Sequence, residues 1–169
     1  VHLNAVVWGR AILPDEQTPT DPYTLVADLG FDSVTSYVWI HHCHLDAFPQ
    51  TPYERVMEGY FAYAEKARKQ LSVPYYPNAT MGWDSSPRAC QSDVLTNDGY
   101  PFMASLIGNT PEAFKQGLER TKAFLDEQPA EHRIMNINCW NEWTEGSYLE
   151  PDTTHGMAYL EAVRDVFGE

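Results

Sequence analysis

Apolar positions along the chain switch between two spacings. Leu3 and the run Val6-Val7-Trp8 predict a short strand, and Asp21 before Pro22 marks a helix start that runs to Gly30. Phe31 to Trp39 is rich in β-branched and aromatic residues and reads as a second, largely buried strand. Thr51-Pro52-Tyr53-Glu54 has the form of a capping box. After it Tyr53, Val56, Met57, Tyr60, Phe61, Ala64, Ala67 and Leu71 recur every three or four residues, as one face of a helix requires. Val73 to Thr80 predicts a third strand if its two prolines sit at its start or at a bulge.

From about Gly82 to Asn109 the pattern breaks into Asp, Ser, Gly and Pro. That is longer than a plain connection usually is, so the segment is expected to carry function. Thr110-Pro111 opens another helix, with Phe114, Leu118, Thr121, Phe124 and Leu125 on one face and Pro129 beyond its end. Arg133 to Trp140 alternates as a fourth strand. Met157, Leu160, Val163 and Phe167 mark a closing helix that ends near Gly168. Strand then helix, four times over and with no hairpin signal between strands, predicts an α/β fold of parallel strands joined by helical crossovers. Residues 1–169 are expected to form one domain. The chain shows no Gly-x-Gly-x-x-Gly and no phosphate-binding P-loop, so a nucleotide site lacks its fingerprint. Four such units are half of an eight-unit barrel, which typically takes about 250 residues.

Length and charge narrow the function. A chain of 169 residues, 43% hydrophobic, can bury a sizeable core without disulfides or a metal. Eleven basic against 24 acidic residues give a formal net charge of -13. That balance repels phosphate backbones and anionic headgroups, so no nucleic-acid or membrane partner is expected and neutral substrates fit better. No apolar run approaches the roughly 20 residues that span a bilayer. Cys43, Cys90 and Cys139 are odd in number and widely spaced, which argues against a disulfide framework. The compartment stays open, with a periplasmic or extracellular setting a little ahead of a cytoplasmic one.

Polar and aromatic residues gather after each predicted strand: Trp8, Trp39 to His44, Trp83 to Arg88, and Trp140 to Glu150. In a barrel, loops at the C-terminal strand ends build the active site. Tryptophan faces suit a sugar ring, although tryptophans at strand ends also plug cores. The densest chemistry is Asn138-Cys139-Trp140-Asn141-Glu142-Trp143-Thr144-Glu145-Gly146, with two carboxylates three apart. On a regular strand Glu142 and Glu145 would face opposite ways. If the strand ends near Trp140 and turns, both project into one cleft, as glycosidic-bond cleavage by a carboxylate pair requires. The alternative is an exposed acidic turn.

Asn141-Glu142-Trp143-Thr144-Glu145-Gly146-Ser147-Tyr148-Leu149-Glu150-Pro151 resembles the Glu-Trp-x-Glu-Gly segment of glycoside hydrolase family 99 and its WbsX-like relatives, which are often labelled glycosyltransferases. Gly82 to Arg88, Gly30 to Tyr37 and His155 to Ala162 add to the resemblance, which spans nearly the whole chain. It implies a (β/α)8 TIM-type barrel of which this chain supplies the last four units. It also implies that Glu142 deprotonates a sugar 2-hydroxyl, that Glu145 is the general acid/base, and that the outcome is retention. Thr144 departs from the histidine typical of the hydrolases, so their mannoside substrate does not transfer with the motif.

The substrate-binding candidates are Trp39, His41, His42, His44, Trp83, Asp84, Arg88, Trp140, Asn141, Trp143, Tyr148 and Glu150. Adjacent histidines do not easily converge on one ion, so His41, His42 and His44 are read as sugar contacts rather than metal ligands, and no cofactor is implied. Asp84 and Arg88 either bind hydroxyls or pair with each other, and Glu150 either lines the cleft or caps the last helix. The Asn78-Ala79-Thr80 sequon falls inside a predicted strand and is read as incidental. The expected activity is retaining hydrolysis of an α-linked glycan. The rivals are a glycosyltransferase or assembly protein of surface-polysaccharide synthesis, and a non-catalytic glycan-binding module. Four open parallel strands would expose two edges, so self-association or pairing with an upstream half-barrel is also expected.

Overall fold

The computed structural model describes residues 1–8, 21–90 and 93–168. In chain order the elements are β1 (Asn4–Val6), α1 (Pro22–Asp28), β2 (Ser33–Thr35), β3 (Gln50–Pro52), α2 (Tyr53–Gln70), β4 (Tyr75–Tyr76) and β5 (Asn78–Ala79). There follow β6 (Ser105–Ile107), α3 (Pro111–Asp126), β7 (Asn136–Ile137), β8 (Asn141–Glu142), β9 (Ser147–Tyr148) and α4 (Ala158–Phe167).

β1, β2 and β4 pair in parallel in that order, with Asn4 opposite Ser33 and Val34 opposite Tyr75. Pro77 interrupts the third strand between β4 and β5, since proline has no amide hydrogen to donate to a ladder. Its carbonyl still accepts from the amide of Asn136, and β5 pairs in parallel with β7. The four parallel positions therefore lie in sequence order, each followed by a helix.

Two helices carry the packing. Tyr53, Val56, Tyr60, Phe61, Ala64 and Ala67 of α2 are buried against Val34, Val38, Trp39 and Tyr75. Phe114 and Leu118 of α3 join Ala79, Met81 and, from α4, Tyr159 and Ala162 in a second cluster. Gly117 of α3 lies against Trp39, where an added Cβ would sit 2.9 Å from the indole.

Several expectations need correction. Thr51 does not cap α2: its hydroxyl donates to the Ala47 carbonyl, because Thr51 lies in β3 and the chain enters the helix from a strand. The 82–109 segment contains β6, which pairs in parallel with β3. The expected fourth strand shrinks to β7. A hairpin appears where none was signalled, β8 pairing antiparallel with β9 across Gly146. In α4 the inward positions are Tyr159 and Ala162, while Met157 and Phe167 are exposed. Asn78 is fully buried and its amide donates to the Tyr37 carbonyl, so this sequon offers no accessible side chain.

A carboxylate pair at the strand ends

Beyond β7 the chain turns outward and folds back as the β8–β9 hairpin, whose tip is a 3-10 turn over Trp143–Glu145 closed by Gly146 in the left-handed region (φ 57°). Gly146 is held close to Asp84: the Asp84 amide donates to the Glu145 carbonyl at 2.6 Å, and a Cβ on Gly146 would lie 2.7 Å from the Asp84 Cβ. Gly82 makes the reciprocal approach, its missing Cβ falling 2.7 Å from the Gly146 carbonyl oxygen. The hairpin is thus clamped on the segment that follows β5. This arrangement rotates Glu142 and Glu145 to one side, which a continuous strand would not do.

Arg88 joins the two carboxylates. Its Nη2 donates to Glu142 Oε1 at 2.9 Å and stands 3.6 Å from Glu145 Oε1. The two oxygens are no farther apart than those two reaches end to end, a bound that includes the separation of about 5–5.5 Å found in retaining glycosidases. Desolvation pulls the Arg88 guanidinium down, but Tyr100, Glu142 and Glu145 outweigh it and hold it above its usual range. The environments of the two acids differ. Glu142 is half-buried and also accepts from the Thr144 hydroxyl at 2.8 Å. Glu145 is buried, with 8% of its surface exposed, and accepts from two phenols: Tyr37 at 3.1 Å and Tyr100 at 3.2 Å. Burial first, and then the Glu145 charge, pushes the Tyr37 phenol well above its usual range, so it stays a proton donor at any physiological pH.

Tyr37 is itself held from behind. The Asn78 amide binds its carbonyl at 2.9 Å, the Thr80 hydroxyl donates to Asn78 Oδ1, and the Trp39 amide donates to Thr80 Oγ1. A satisfied buried network of this kind fixes one arrangement of the strand ends.

Glu145 forms one wall of a cleft of about 430 Å³, together with Trp8, Tyr37, Ile40, His41, Trp83, Tyr100 and Met103. Trp8 is half exposed and its ring lies 4.6 Å from that of His41. Trp83 is 3% exposed, and its indole N–H is buried with no partner among the described residues.

Of the residues singled out from sequence, the structure brings Glu145, His41 and Trp83 to one cleft and joins Glu142 to Glu145 through Arg88. The others lie elsewhere. Trp39 is fully buried against Tyr53, Tyr60 and Phe61 and donates from its indole to the Asn78 carbonyl, so it belongs to the core and not to a sugar-facing rim. His42 turns toward α2 and stacks on Tyr63 at 3.8 Å. His44 is exposed and off the cleft. The Asp84 side chain accepts from the Ser86 amide instead of pairing with Arg88. Trp140, Asn141 and Trp143 are exposed on the hairpin, Trp143 stacking on Tyr148 at 4.0 Å. Tyr148 lines a separate cavity of about 210 Å³ with Asn109, Thr110 and His155. Glu150 is half-buried and does not cap α4, whose first turn has no side-chain cap.

Tyr37 and Tyr100 were not among the candidates. Tyr37 ends the Gly30–Tyr37 motif and Tyr100 sits in the long polar segment, so position offered a hint, but neither residue type announces a bond to a carboxylate. The cysteines are free. Cys43 donates to the Val56 carbonyl, and burial pushes its thiol up to about 12.

Burial, and then the neighbouring His41, lowers the His42 pKa to about 4 from 6.5. The folded protein therefore prefers neutral imidazole. As pH falls through 6.5 the unfolded chain takes up a proton that the folded chain refuses until about 4. Stability is present above 6.5 and is lost across that window, by at most about 3 kcal/mol. Urea unfolding at pH 7 and pH 4.5 is expected to show this loss in the wild type and most of it removed in His42→Phe. Equal pH dependence in the two proteins would contradict it.

The family described as Glycosyltransferase WbsX matches residues 28–163. Two proteins named "Uncharacterized protein WxcX", from Xanthomonas campestris pv. campestris, are each 37% identical. In strain B100 the match covers 110 residues, 62% of this chain and 14% of the relative; in strain ATCC 33913 it covers 90 residues, 53% of this chain and 12% of the relative. The chain thus spans about one-seventh of the length of these relatives.

Proposed function

The chain belongs to the Glycosyltransferase WbsX family, and from that carbohydrate-related footing we propose that it cleaves an α-linked glycan with retention, using Glu142 and Glu145. The observation that carries this reading is the sharing of Arg88 by two carboxylates, one of which, Glu145, lines an aromatic cleft. An exposed acidic turn would have no reason to bury Glu145 under two phenols and a guanidinium.

In the first step Glu142 takes the proton of the sugar 2-hydroxyl, O2 attacks C1, the glycosidic C1–O bond breaks, and Glu145 protonates the departing oxygen. In the second, water attacks C1, Glu145 takes its proton, the C1–O2 bond opens and Glu142 returns a proton to O2. Two inversions at C1 give net retention. Glu142 enters as the carboxylate and Glu145 as the acid; Arg88, placed beside both, compensates the single negative charge as it passes from Glu142 to Glu145 and back, and Tyr37 and Tyr100 orient Glu145. The order of the parallel strands, each followed by a helix, supports the proposal that they form the last four units of a (β/α)8 barrel, with the pair at its C-terminal mouth.

The family description favours a second reading, transfer from an activated sugar donor. The two separate by product. Incubated with α-linked oligosaccharides and, in parallel, with nucleotide sugars, the protein is expected to release reducing ends from the former and no nucleotide from the latter. Nucleotide release with an intact oligosaccharide would overturn hydrolysis in favour of transfer.

A further inference from the structure

The hairpin that carries Glu142 and Glu145 has two residues in each strand. So short a hairpin does not hold its own angle, and its anchors decide where the carboxylates point. One anchor is the Asp84 segment at its tip. The other lies behind it, at the end of β7. The backbone amide of Asn138 donates to the Ala79 carbonyl at 3.2 Å, which keeps this residue fixed to β5. From there its side-chain Nδ2 donates to the Ser147 hydroxyl at 2.6 Å, and the Cys139 thiol donates to the Ser147 carbonyl at 2.9 Å.

Ser147 carries this grip to both acids. It is fully buried, stands opposite Glu142 in the β8–β9 register and lies two residues beyond Glu145. Burial raises the Cys139 thiol above its usual value, and the Glu142 amide, turned toward the sulfur, works against that rise. None of Asn138, Cys139 and Ser147 lines the cleft beside Glu145.

We infer that Asn138 and Cys139 are positioning residues for the carboxylate pair, acting through Ser147, which rests on the sugar-cleaving reading above. They touch no sugar, so they set the rate of the chemical step and not the binding of substrate. The plainer alternative is that they serve stability alone, since Cys139 packs against the cluster built on Phe114 and Leu118. The two roles part at Asn138. Its Oδ1 is buried with no partner among the described residues, a cost that offsets what the bond to Ser147 contributes to folding. Losing the whole side chain is therefore expected to leave thermal stability nearly unchanged while it frees the hairpin.

The test is steady-state kinetics of the whole chain on an α-linked oligosaccharide, alongside thermal scans and carbon-13 NMR of glutamate-labelled protein, in which Glu142→Gln and Glu145→Gln assign the two carboxyl signals. Asn138→Ala is expected to lower kcat about 10²-fold, the cost of roughly 1 Å of misplacement, with KM and melting midpoint unchanged and both carboxyl signals displaced. Ser147→Ala, which deletes a single oxygen, is expected to cost the same, and the double variant no more than either, because both changes break one bond. Cys139→Ala is expected to lower kcat less, since a thiol is a weak donor, and Cys139→Ser to recover most of that loss where Cys139→Val does not. Unchanged kcat in folded Asn138→Ala or Ser147→Ala, losses that multiply in the double variant, or Cys139→Val recovering as much as Cys139→Ser would overturn the inference. A wild type that cleaves no glycan fails the hydrolase reading alone. The positioning role is then decided by the carboxyl signals, and their staying in place in Asn138→Ala and Ser147→Ala would overturn it.

Discussion

Glu145→Gln is expected to lower glycan cleavage by about 10²–10⁴-fold, the range that positioned proton transfer contributes, while the folded state stays intact. Glutamine keeps the shape of the side chain. Its carbonyl still accepts from one phenol, and its amide can donate to the other, since a phenol oxygen both donates and accepts. What it cannot do is hand a proton to the leaving oxygen and take one back from water. Steady-state rates on an α-linked oligosaccharide, with near-ultraviolet circular dichroism alongside, check both halves. A variant that cleaves at the wild-type rate removes Glu145 from the chemistry and leaves the carboxylates a structural ion cluster. Glu142→Gln is expected to fall within the same range.

Gly146→Val is expected to destabilise the protein by about 2–4 kcal/mol, combining a left-handed backbone on a β-branched residue with overpacking. The Cβ that valine adds would sit 2.7 Å from the Asp84 Cβ and 3.0 Å from its amide nitrogen, and both belong to a segment that cannot retreat without losing its bond to the Glu145 carbonyl. For a chain of this size that corresponds to a midpoint lowered by roughly 5–15 °C in a thermal scan. Activity is expected to fall further than stability explains, because the same contact sets the angle at which the hairpin presents Glu142 and Glu145. A valine variant that melts with the wild type would mean that the hairpin is not clamped there.

The helices were legible because periodicity and caps agree. Asp21 accepts from the Tyr23 and Thr24 amides and Thr110 from that of Ala113, as the residues before Pro22 and Pro111 promised. Thr51 shows the limit of that signal: the same motif is satisfied by a loop carbonyl when a strand leads into the helix. β6 escaped notice because three residues among glycines and prolines leave no period to read. In the site, the acidic pair was legible from its density in a nine-residue window. Its partners were not, since Tyr37 lies 108 residues and Tyr100 45 residues away in sequence, and only the fold brings them to one carboxylate. Trp39 and His42 illustrate a different failure. A residue at a strand end can turn toward the rim or back onto the helix layer, and the pattern of neighbours is the same in both cases.

The central claim is that Glu142 and Glu145 cleave an α-linked glycan through two successive inversions at C1. The most direct measurement is the anomer first released, followed by proton NMR before mutarotation equilibrates it. The account predicts that the α-anomer appears first in the wild-type protein and that neither anomer accumulates with Glu142→Gln. Release of the β-anomer first would contradict it, because a single inversion requires no attack by the sugar 2-hydroxyl and leaves Glu142 without the role assigned to it here.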